Sequence, residues 1–254
     1  MNSGKKENLK DFIKKEIKRS GFPLEALSSI ILDKNGWDVT PHLLFFNELK
    51  ECFNEIDIYA SKQSKRKEFN DAMETLIIEC KKQEKKPWVF FRQNELNTDF
   101  STLNVTPESA KESFNKGFSH HYYHRRKPCG YHFPTFVAKG KPDVILDAIN
   151  HLLDSLNFAQ NATSRLNEKY GVRLLEVFYP VIIFDGELFS ARIKPDGDIR
   201  ITKSRHLQLK VCRAIKEPKL IELSSIEMRW EISREYMIDI VTKDSLDNFL
   251  KYFP

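Results

Sequence analysis

The chain has 254 residues, 41% hydrophobic and 30% charged, with a formal net charge of +5, a composition that predicts a globular protein with a sizeable core. No apolar run approaches the length of a membrane span, and the N-terminal "MNSGKKENLKDFIKKEIKRS" lacks the apolar stretch of a signal peptide, so a cytoplasmic protein with no membrane partner is expected. Four cysteines (52, 80, 129 and 212) without a CxxC pair fit reduced thiols rather than a disulfide framework.

Leu9, Phe12, Ile13 and Ile17 recur at helical spacing and predict an amphipathic helix over 8–19. A second helix starts near Pro23, carries Leu24, Leu27, Ile30 and Ile31, and stops at Asn35-Gly36. "WDVTPHLLFF" and "FNEIDIYAS" predict strands joined by a turn around 47–52, followed by strands at 74–82 and 87–92. Residues 93–140 have weak periodicity, several prolines and most of the histidines, which predicts an insertion. A long helix is expected over 142–169. Strand material with an Asp185-Gly186 turn follows, then strand-like runs at 198–202, 206–215 and 219–231, and finally a strand, a cap near Thr242 or Asp244 and a short helix. The order predicts a mixed α/β (α+β) fold.

Charge is unevenly placed. "KKENLKDFIKKEIKR" (5–19), "KQSKRK" (62–67), "KKQEKK" (81–86) and "HHYYHRRK" (120–127) are basic knots, compatible with a polyanionic partner or with a solvated surface. Acids sit inside apolar strands: Asp57 lies between Ile56 and Ile58, and Glu79 and Lys81 end the run "LIIECKK". Buried charge is costly unless paired, hydrogen-bonded or bound to metal. Strand alternation points Ile77, Glu79 and Lys81 one way and Leu76, Ile78 and Cys80 the other; it sets Asp57 opposite both Ile56 and Ile58. Should the 54–60 and 74–82 strands pair antiparallel, Asp57 can meet Glu79, and two carboxylates suit Mg²⁺ or Mn²⁺, hard cations that favour oxygen.

Glu25 in "FPLEALSSIIL", Asp57 in "EIDIYA" and Glu79-Cys80-Lys81 in "IIECKK" resemble the PD-(D/E)XK nuclease superfamily, nearest to its Mrr-type and archaeal junction-resolving branch. The resemblance covers roughly residues 20–92; the family's proline before the aspartate is replaced by Ile56, and 21 residues separate Asp57 from Glu79. It implies a restriction-endonuclease-like mixed β-sheet flanked by helices, with a single nuclease domain over 1–254. Its core would be 20–92 and 142–190, with an insertion at 93–141 and a β-rich C-terminal extension at 191–254. It implies a Mg²⁺- or Mn²⁺-dependent endonuclease acting on DNA in restriction, repair or junction processing. Asp57, Glu79 and Glu25 would be metal ligands, and Lys81 would orient or deprotonate the attacking water with its pKa drawn toward neutrality.

Within "SHHYYHRRKPCGYHF", Arg125, Arg126 and Lys127 suit phosphates, and Tyr122, Tyr123, Tyr131 and Phe133 can stack on bases. The alternatives for this stretch are a plain surface loop or zinc ligation by His120, His121, His124, Cys129 and His132, whose spacing matches no standard finger. For the whole chain, the alternative is an inactive nucleic-acid-binding or interaction module with the same fold. A homodimer or a targeting partner is compatible with either.

Overall fold

The computed structural model describes residues 8–48, 50–63, 73–83, 86–92, 104–105, 130–132, 143–171, 176–214, 220–223, 227–230 and 233–253. Helix α1 (Leu9–Arg19) is capped by Asn8, whose side chain accepts from Lys10 N–H. Helix α2 (Phe22–Lys34) starts with Pro23 in its first turn and ends at Asn35, before Gly36 at φ 77°. Strands β1 (Asp38–Asn47), β2 (Cys52–Gln63) and β3 (Met73–Lys82) form an antiparallel meander. Strand β4 (Trp88–Arg92) and the short β5 (Asn104–Val105) and β6 (Gly130–His132) follow. Helix α3 (Val144–Tyr170) is capped by Asp143, which accepts from Ile145 and Leu146 N–H, and is closed by Gly171 at φ 62°.

Strand β7 (Glu176–Asp185) is buried along nine of its ten residues, which is why it reads as an unbroken apolar run. It lies parallel to β3 on one side. On the other, its first half pairs with β5 and its second half, in parallel, with β13 (Ser233–Thr242). Between β7 and β13 come β8 (Leu188–Ile193), β9 (Ile199–Lys203), β10 (His206–Ala214), β11 (Leu220–Leu223) and β12 (Glu227–Trp230). The main sheet runs β1-β2-β3-β7-β13-β10, a mixed sheet with α3 on one face and α2 and the C-terminal α4 (Leu246–Leu250) on the other. A second sheet, β6-β4-β8-β9, continues from the ends of β3 and β7, joined to them by Gln83 N–H on Asp185 O at 3.0 Å and Trp88 N–H on Glu187 O at 2.9 Å. No helix among the described residues is long and apolar enough to cross a membrane.

Thr242 stands at the N-cap position of a 3-10 turn (Lys243–Ser245), as expected, though its hydroxyl donates to Arg205 O and not to the turn. Two expectations change. The run at 219–231 is a pair of strands, β11 against β12, not one strand. Ile56 and Ile58 do not share a face: Ile58 packs with Leu76, Ile78 and Cys80 under α2, whereas Ile56 packs with Phe45 and Ile77 under α3. The physical reason lies in the neighbouring strand. His42 sits opposite this point at φ 55°, a left-handed conformation that breaks the alternation of a strand. The pleat therefore inverts at Asp57.

Candidate active site

The inversion opens the sheet where β2 leaves β3. Their paired register ends at Ile58 opposite Ile78. Beyond it, Cys80 N–H donates to Asp57 Oδ2 at 2.7 Å, so the carboxylate takes the place of a ladder acceptor. Glu79 points to the α3 side, 3% exposed, and Lys81 Nζ lies 2.6 Å from its Oε1. Asp57 and Glu79 thus come within electrostatic reach at the divergent strand ends, and Lys81 pairs with Glu79 while staying partly exposed.

From the α2 side Glu25 joins the cluster, half-buried and within electrostatic reach of Asp57 and Lys81. His42 holds it in place: Nε2 is 3.5 Å from Glu25 Oε2, Nδ1 is in short contact with Glu55 Oε1, and the ring stacks on Phe22 at 5.8 Å. From the α3 side, Asp147 acts on Glu79 and Lys81, and His151 on Asp57. These four residues were not singled out in the sequence. Glu55 stands two positions before Asp57 on the same strand, and Asp147 and His151 stand four apart on one helix, so a spacing signal existed for three of them. Nothing in the sequence marks His42.

The electrostatics follow from burial among like charges. Burial first, and Asp57 next, push the Glu79 carboxyl up to about 7. Asp57 is raised by burial too, although the Cys80 N–H and Lys81 hold it back. Glu25 is raised by burial and by Asp57. Burial alone pulls the Lys81 ammonium down, but contact with Glu79 and the charge of Asp57 outweigh it and hold Lys81 above the usual lysine value. His42 is raised chiefly by its hydrogen bond to Glu55. Burial pushes the Cys80 thiol well up, which makes it an inert core group.

Asp57 and Lys81 are therefore each within electrostatic reach of both Glu79 and Glu25. Arg125, Arg126 and Lys127 lie outside the described residues, as do His120, His121, His124 and Cys129, and of His132 only the backbone is described. Among the described residues, no three His, Cys, Asp or Glu side chains converge as a ready metal-ligand group. In comparisons with family models, with curated proteins and with solved structures, nothing matches the chain.

Proposed function

We propose that the chain is a metal-dependent nuclease of the PD-(D/E)XK type with a restriction-endonuclease-like fold, hydrolysing phosphodiesters in DNA. The observation that carries this reading is the meeting of Asp57 with Glu79 and Lys81 where β2 splays from β3. Element order supports it: a helix bearing Glu25, an antiparallel three-strand meander, a long helix, then a strand parallel to β3.

The donor set fits Mg²⁺ or Mn²⁺. Its side chains are oxygen donors, and two of them are carboxylates held above their usual pKa, Glu79 by burial and the charge of Asp57, Asp57 by burial and the charge of Glu55. Mg²⁺ keeps several waters and needs only one or two carboxylates beside substrate phosphates, so a closed cage of protein ligands is not required. Asp57 and Glu79 would hold the ion, with Glu25 as a further ligand. When bound, the ion neutralises charge on the scissile phosphate and acidifies water.

The chain's own groups do the rest. Lys81 is protonated in its pairing with Glu79, so it serves as a fixed cation toward the phosphate oxygens rather than as a base. His42, anchored by Glu55, orients Glu25 toward Asp57. The Cys80 N–H fixes the Asp57 carboxylate in the plane of the sheet. One observation favours a second reading, an interaction module that keeps the fold without cleaving: no three-residue ligand group converges among the described residues.

Incubation with plasmid, linear, branched and single-stranded DNA, and with RNA, in Mg²⁺, Mn²⁺ or EDTA tests both readings. Cation-dependent cleavage that Asp57→Ala and Lys81→Ala each abolish, with binding retained, is the expected result. Substrate bound but never cut supports the module. Cleavage at the wild-type rate in either variant removes the assigned residues from the chemistry.

A further inference from the structure

Helix α1 is amphipathic, yet none of its residues is buried. Its apolar residues Leu9, Phe12, Ile13 and Ile17 are 46–70% exposed. Asp11, Lys14, Lys15 and Lys18, at positions i, i+3, i+4 and i+7, lie on the other side of the helix. That charged side lines a cleft of about 620 Å³, completed by Arg19, Pro23 and Lys82. Five of the seven lining residues are cationic and one is acidic. The helix end is tied down there, because Lys82 Nζ donates to Lys18 O at 2.7 Å.

Two features separate this cleft from an ordinary solvated lysine face. The cations come from α1 and β3 to line one concavity, where Arg19 is paired with Glu16 at 3.0 Å and Asp11 is the one lining acid, so the cleft carries an excess of positive charge that suits a polyanion. Furthermore, Lys82 follows Lys81 directly on β3, and alternate side chains of a strand point to opposite sides. One strand end thus presents Lys81 to the carboxylate cluster and Lys82 to the cleft. Lys14 and Lys18 stand about 6 Å apart along the helix axis, a span covering about two phosphates at 3.4 Å per nucleotide of a strand.

We propose that the cleft between α1 and the end of β3 is a docking surface for the phosphate backbone of duplex DNA, gripping phosphates that flank the one at the carboxylate cluster. Only the second half, that the gripped strand continues to Glu79 and Lys81, rests on the nuclease reading. Recognition is by charge alone and carries no sequence preference. The exposed apolar side of α1 faces away from the cleft and is not part of it.

The test is binding of a short fluorescent DNA duplex in EDTA across a salt series, which requires no catalysis. Lys14→Gln, Lys15→Gln and Lys18→Gln combined should flatten the slope of log K against log salt by about 2–3, since each lost phosphate contact removes about 0.9, and weaken binding at least about tenfold at 0.1 M salt. Because α1 buries nothing, the variant keeps its fold, which circular dichroism checks. Asp11→Asn provides the opposite sign and should tighten binding. Unchanged slopes and affinities in both variants overturn the proposal even if the protein cuts DNA. A shifted slope without cleavage upholds the cleft and removes the nuclease reading. Vesicles of phosphatidylcholine with phosphatidylserine, titrated in parallel, test the competing use of a basic amphipathic helix. Vesicle binding lost in the triple variant while duplex binding persists overturns the DNA assignment.

Discussion

Replacing Glu79 with glutamine removes one charge at nearly constant shape, and the structure sets how stability should respond in EDTA. The carboxyl is raised from 4.5 to about 7 and is 3% exposed, so solvent screening discounts little of the effect. At about 1.4 kcal/mol per pH unit, an ionised Glu79 costs the folded state about 3 kcal/mol. The folded pKa lies above the unfolded one, so the folded state binds the proton more tightly. The cost is therefore absent below about pH 4.5, grows between pH 4.5 and 7, and is complete above 7. The glutamine variant lacks this dependence. It keeps an acceptor for Lys81 Nζ, and the weaker pairing offsets about 1–2 kcal/mol of the gain. Chemical or thermal melts at pH 5 and pH 8 in EDTA should thus show the wild type losing about 2 kcal/mol more than the variant between the two conditions, since part of the cost is already present at pH 5. Mn²⁺ at 100 times its dissociation constant should then restore about 2.7 kcal/mol to the wild type and less to the variant. Parallel curves from pH 5 to 8, with neither protein responding to Mn²⁺, would show that Glu79 is only a salt-bridge partner of Lys81 and refute the reasoning.

Two further outcomes are expected. Asp57→Asn removes the charge that, after burial, raises Glu79 most, so the pH at which wild-type stability levels off should move below 7 in that variant, read from the same EDTA melts. Asp154→Ala, one turn beyond His151 on α3, should cost on the order of 2–3 kcal/mol. Asp154 is 8% exposed and accepts from Lys50 Nζ at 2.7 Å and Arg213 Nη2 at 2.9 Å, and both cations can partly rehydrate when it is lost. Urea unfolding measures it, and a change below 0.5 kcal/mol would mean that the pairs merely replace water.

Elements whose cause is local were readable from the sequence, and pairings whose cause is distant were not. The helix of α3 is written in its own apolar stripe, and β7 in its unbroken run "EVFYPVIIF", because burial on both faces leaves no place for polar alternation. That β7 lies between β3 and β13 depends on contacts across more than 50 residues, which no window of sequence contains. The strand alternation of Glu79 and Lys81 was readable for the same local reason. The inversion at Asp57 was not, since its cause is the backbone of His42 on the adjacent strand. A trace of it exists in Pro41: proline is tolerated there because β1 is the edge of the sheet, where a missing N–H leaves no ladder bond unmade. The balance at Lys81 was not readable, because burial and pairing pull in opposite directions and the 2.6 Å contact with Glu79 is visible only in the structure.

The α3 side of the sheet carries a second buried carboxylate, and the contrast between the two separates structure from chemistry. Glu176, 3% exposed like Glu79, stands at the start of β7. Tyr59 and Thr75 donate to its Oε1 at 3.1 and 2.5 Å, and Thr163 of α3 donates to its Oε2 at 2.7 Å. These hydroxyls donate to both oxygens and tie β2, β3, β7 and α3 together; such an acid is a fastener. Glu79 has the same depth and a different shell: an ammonium on Oε1 and the carboxylate of Asp57 within electrostatic reach. A fold that needed only to bury Glu79 had the Glu176 solution available on the same face of the same sheet. It instead sets Glu79 beside Asp57 and Lys81 where β2 and β3 part, and burial with the charge of Asp57 raises its affinity for protons. The depth of a buried acid therefore says little about its role. The groups that surround it decide whether its charge is held by hydroxyl donors, as at Glu176, or set against another acid and a lysine, as at Glu79.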